Sequence, residues 1–63
     1  MVAGKGREVL FEIRRIGMQC RVVALDPETG TEVVVIAPAA ATPEQMKRLA
    51  AAKLQRRLMQ IDT

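Results

Sequence analysis

The chain has no histidine, serine, tyrosine or tryptophan, and only one cysteine and one phenylalanine. Each shortage removes a class of function. Without histidine there is no side chain suited by default to proton transfer near neutrality. Without serine the commonest hydroxyl nucleophile is gone, and no threonine sits beside a base that would activate it. A lone cysteine, Cys20, cannot close an intrachain disulfide, and one Cys with no His leaves no familiar zinc constellation. Phe11 alone makes no stacking platform of the kind that single-strand nucleic-acid binders use. The expectation is a protein that is not an enzyme and takes no cofactor and no metal.

Sixty-three residues make one domain, and apolar residues are 49% of them, too many for a disordered tail. A chain this short buries only roughly 60% of its unfolded surface. Small domains make up the shortfall with disulfides, metals or oligomerisation, and here oligomerisation is the route left. The apolar run Val33 to Ala37 is far short of a membrane span. Residues 1–6 hold Lys5 and two glycines but no apolar run after them, so they read as a flexible arm rather than a signal peptide, with a single domain over 7–63. A free cysteine without an export signal fits the cytoplasm. The net charge of +3 and pI near 9.8 favour anionic partners modestly.

Alternation places the first strand at about 8–16, with Val9, Phe11 and Ile13 on one face. Gly17-Met18 suits a type II′ hairpin turn, glycine supplying the positive φ. Pairing Ile16 with Gln19 then sets Val22 opposite Ile13, Ala24 opposite Phe11 and Arg14 opposite Arg21, over a second strand at about 19–25. In Asp26–Thr31 (DPETGT), Pro27 presets φ and Gly30 takes the left-handed position that ends a four-residue loop. Closing that loop with Asp26 and Thr31 places Ala24 opposite Val33 and Val22 opposite Val35, over a third strand at about 31–37. Both hairpins agree on one core face: Val9, Phe11, Ile13, Cys20, Val22, Ala24, Val33 and Val35.

Thr42-Pro43-Glu44-Gln45 is a helix start, with Thr42 as cap, Pro43 at the first helical position and Gln45 completing a capping box. Met46, Ala50, Leu54, Leu58 and Ile61 recur on one stripe, so the helix runs over about 43–61. The fold class is α+β: a three-stranded antiparallel meander followed by one C-terminal helix (β-β-β-α), and dimeric.

Dimerisation is expected because one helix covers one sheet face. The other face carries Leu10, Ile16, Val23, Leu25, Val34 and Ile36, six aliphatics beside Glu12, Arg14, Arg21 and Glu32. A solvent-facing sheet surface is normally polar. The third strand also presents Val33–Ile36 as an unprotected apolar edge with no proline or lysine guarding it. Those six aliphatics are the candidate interface, with two copies meeting edge to edge or face to face.

The remaining groups have ordinary explanations. Cys20 on the core face acts as a small hydrophobe, Glu12 and Glu32 pair with Arg14 and Arg21 across strands, and Gly4-Lys5-Gly6 lacks the context of a phosphate loop. On the helix, Arg48, Lys53 and Arg56 lie away from the apolar stripe while Lys47 and Arg57 flank it. Arg56 and Arg57 suit the helix dipole as a basic last turn. The alternative function is nucleic-acid binding through Arg14, Arg21, Arg48, Lys53 and Arg56. A third is a small subunit of a larger protein partner.

The run Arg7–Gly17 (REVLFEIRRIG), then Arg21–Pro27 (RVVALDP) and Thr29–Val33 (TGTEV), resembles a group of short bacterial proteins of unknown function. The similarity extends to about Leu58 and implies a stand-alone small protein, with no activity or site residues. The three strands and the helical run Met46–Lys53 are also loosely similar to the last part of double-stranded-RNA-binding domains. The first helix of that fold and its lysine cluster at the helix start are missing here.

Overall fold

Gly17 and Gly30 are the residues with positive φ among those described, at 64° and 74°. They turn the chain twice, and in the computed structural model, which describes residues 8–61, three strands result: β1 (Leu10–Ile16), β2 (Gln19–Asp26) and β3 (Thr31–Pro38). They form one antiparallel sheet in the order β1-β2-β3. The residues expected to form the N-terminal arm lie outside the described part. Helix α1 (Pro43–Ile61) follows β3 directly.

The register is the one the two turns dictate. Ile16 faces Gln19, Ile13 faces Val22, Phe11 faces Ala24 and Arg14 faces Arg21. Asp26 closes on Thr31, Ala24 faces Val33 and Val22 faces Val35. The Gly30 amide donates to the Asp26 carbonyl at 2.8 Å, which seals the second loop. Strand bounds differ from expectation at three ends. β1 starts at Leu10, β2 reaches Asp26 and β3 takes in Pro38, which pairs with Gln19. Ile16 and Gln19 close a two-residue hairpin and so bond each other, which turns the main-chain groups of Gln19 toward β1. Pro38 therefore faces outward, and its missing N–H is not needed by the ladder.

α1 begins with the expected reciprocal cap. The Gln45 amide donates to Thr42 Oγ1 at 3.1 Å, and the Thr42 amide donates to Gln45 Oε1 at 2.9 Å. Its inward stripe buries Met46, Ala50 and Leu54 against Cys20, Val22, Ala24, Val33 and Ala37. Val9, Phe11, Val35 and Leu58 pack half-buried at the margin. Alanines on both sides of this layer let helix and sheet approach closely. The last turn carries no basic residue, contrary to expectation. The helix continues far enough that Arg56 and Arg57 sit a turn earlier, where the dipole no longer concentrates charge.

Two core assignments change. Ile13 points to the helix side yet is 36% exposed, because α1 packs on β2 and β3 and leaves β1 to one side. Asp26, read only as a turn residue, is fully buried. Its Oδ1 accepts from the Glu28 amide at 3.1 Å and its Oδ2 from Thr29 Oγ1 at 3.2 Å, so its carboxylate is the polar frame of the loop. Replacing it with alanine strands those donors and is expected to cost about 1–3 kcal/mol. Asp26→Asn keeps an acceptor for the Glu28 amide and is expected to lose less. Urea midpoints of the two variants check this, and an unshifted midpoint for Asp26→Ala would contradict it.

Candidate functional site

Side chains alternate across a strand, so the face away from α1 can be read row by row from the register. The rows are Leu10–Leu25–Glu32, Glu12–Val23–Val34, Arg14–Arg21–Ile36 and Ile16–Gln19–Pro38. Nothing described covers them. Leu10 is 45% exposed, Ile16 62% and Ile36 58%, while Val23, Leu25 and Val34 are half-buried among their neighbours. All six residues expected to form an interface therefore share one open surface.

Charge on this face is sorted along the strands. Glu12 and Glu32 stand in the first two rows, and Arg14 and Arg21 stand together in the third. The expected pairing across strands is replaced, for Arg14, by a contact along its own strand: its Nε lies 3.8 Å from Glu12 Oε2. Residues two apart in a strand share a face, which is the signal that pairing opposite residues alone overlooks. Both side chains are about two-thirds exposed, so water screens the pair and it adds little to stability.

The edges differ from the face. Because Val23 bonds toward β1, Val34 turns its carbonyl outward from β3, as Glu32 and Ile36 do. Lys53 Nζ reaches from α1 and donates to that Val34 carbonyl at 2.7 Å. The sequence pattern assigned Lys53 to the far side of the helix and left the edge unguarded. The long lysine stem instead spans the step from helix to edge strand. β1 carries Glu12, Arg14 and Arg15, and charge on an edge strand opposes pairing with another strand.

The five residues considered for anion binding do not meet on one surface. Arg14 and Arg21 lie on the open sheet face, whereas Arg48, Lys53 and Arg56 belong to the helix packed on the opposite face. Lys53 and Arg56 flank a shallow notch with Arg57, Gln60 and Val33. Lys47, the other basic residue beside the stripe, holds its ammonium 5.9 Å from the Phe11 ring centre, a cation–π contact that shields the half-covered ring. A second open groove runs between α1 and the start of β1, lined by Val9, Ala51, Leu54, Gln55 and Leu58. Among the described residues no group of His, Cys, Asp or Glu is arranged to hold a metal, and no helix is long and apolar enough to cross a membrane. Cys20 is buried and unpaired.

A family model described as a domain of unknown function, DUF6898, matches residues 6–61. The chain belongs to that family. The match spans all three strands and the helix, so the open face is part of the DUF6898 domain itself. No curated protein and no solved structure matched the chain.

Removing the lysine is expected to expose the β3 edge while barely touching the fold. Lys53→Met keeps the apolar stem, so its unfolding midpoint should stay within about 1 kcal/mol of wild type. Its rate of aggregation under mildly destabilising conditions should rise, followed by light scattering. Equal rates for the two proteins would show that the contact does not guard the edge.

Proposed function

We propose that this domain is a non-catalytic association module that forms a homodimer through the outer face of its sheet. The carrying observation is the open aliphatic surface of Leu10, Ile16 and Ile36 around half-buried Val23, Leu25 and Val34. Soluble monomers seldom expose a contiguous patch of this kind. The guarded edges favour packing face to face over pairing edge to edge. A buried free thiol suits a reducing compartment, in keeping with a cytoplasmic protein. The division of the basic residues between opposite sides of the molecule weighs against a nucleic-acid interface, which needs them along one track.

The expected affinity follows from the area left to bury. Covering a large aliphatic side chain completely contributes about 1.5–3 kcal/mol. The three exposed chains of each copy, roughly half covered already, give about 5–9 kcal/mol for the pair, and the half-buried Val23, Leu25 and Val34 bring the gross gain to the order of 10 kcal/mol. Association subtracts at least about 4 kcal/mol of lost freedom, so about 6 kcal/mol remains and a reversible dimer with a dissociation constant of tens of micromolar is expected.

Sedimentation velocity across the micromolar range should show a concentration-dependent monomer–dimer equilibrium. Ile36→Lys and Ile16→Lys alter exposed positions and should shift the equilibrium to monomer with an unchanged far-UV spectrum. A wild-type chain that stays monomeric at high micromolar concentration would end this reading.

A further inference from the structure

The open face is polar in the directional sense, and that decides how two copies fit. Glu12 and Glu32 lie toward one end of the strands, and Arg14 and Arg21 form a row toward the other. Two sheets packed face to face lie about 10 Å apart with their strands within about 30° of alignment. Two-fold symmetry then leaves two simple choices for the axis in the plane between them.

An axis along the strands keeps each row opposite itself. It sets Arg21 on the partner's Arg21 at the centre of the interface, Glu12 on the partner's Val34 and Arg14 on the partner's Ile36. Like charges meet, and the remaining charges are covered by aliphatic groups, which costs several kcal/mol per uncompensated ion. An axis across the strands exchanges the ends. The second row of one copy then lies on the third row of the other.

Resting on the homodimer reading above, we infer that the copies stack about an axis across the strands, so that Glu12 of each meets the partner's Arg14. Arg21, opposite Arg14 on the neighbouring strand, reaches the same partner carboxylate diagonally. Leu10 then lies on the partner's Ile16 and Val34 on the partner's Ile36, while Val23 meets the stem of the partner's Arg21 and Leu25 the partner's Gln19. Glu32 falls at the rim, where water keeps it solvated. Forming the dimer exchanges the 3.8 Å contact between Glu12 and Arg14 within one chain for the same contact between chains. The exchange costs little, because an exposed pair is worth little. Its reward is geometric: only one orientation leaves both arginines with a carboxylate.

Reversing one charge at a time tests the orientation. Glu12→Arg alone and Arg14→Glu alone each put like charges across the axis and should dimerise about tenfold or more weakly than wild type. An equimolar mixture restores both pairs and should form the heterodimer preferentially, read by native mass spectrometry and sedimentation equilibrium. If either charge variant fails to fold, oxidising a mixture of Leu10→Cys and Ile16→Cys asks the same question. The mixed disulfide dimer should then exceed both homodimers. A mixture that associates no better than its components, with wild type dimeric, overturns the orientation and leaves the shared face standing. A monomeric wild type removes both.

Discussion

A sheet has two faces and two edges, and this chain sets one helix of 19 residues against them. The helix is spent on the inner side of β2 and β3, where alanine and cysteine let it lie close to the backbone. Closeness favours dense packing, and dense packing is where dispersion contacts accumulate. One helix covers only the strip over β2 and β3. β1 is left with Phe11 half-covered and Ile13 open, and among the described residues nothing covers the outer face. The exposed edges and the outer face each accommodate that shortage of cover.

The accommodation differs between edges and face. An exposed strand edge pairs indiscriminately, because main-chain donors and acceptors are the same in every protein. Here the Lys53 ammonium occupies the outward carbonyl of Val34, and charged side chains line β1. A face recognises by shape and charge pattern, which permits a chosen partner. The edges carry devices against association while the face keeps its aliphatic residues. Such a division is hard to reconcile with a surface that is merely a packing defect.

The fold was legible to the degree that short-range chemistry determines it. A glycine with positive φ at each turn sets the register of two hairpins, and a reciprocal cap starts the helix at Thr42. The six open aliphatics were legible as well, since alternation assigns each residue to a face. Alternation cannot say which strands a helix will cover, so Ile13 was assigned to the core and Lys53 to solvent. Asp26 escaped for a different reason. Turn residues are ordinarily exposed, yet alternation from Val22 and Ala24 carries Asp26 onto the helix-side face, where its carboxylate is buried and accepts from Glu28 and Thr29. Arg56 and Arg57 do not belong to the last turn even though the apolar stripe already carries the helix to Ile61: that turn, residues 58–61, holds no basic residue.

Arg14 and Arg21 face each other across the first hairpin, and like charges in that position destabilise a sheet. The turn does not force them there, since polar residues without charge would satisfy the same outward positions. Glu12 approaches Arg14 at 3.8 Å, but across exposed side chains where the attraction is screened. A carboxylate arriving from above changes the balance. It would sit between two cations in a space from which water is being removed, where each interaction gains strength as the dielectric falls. In the pair proposed above, a row that is a small liability in the monomer would become the feature that fixes orientation. The cost to the single chain and the specificity of the proposed pair would then have one origin, the two arginines standing side by side on the face opposite the helix.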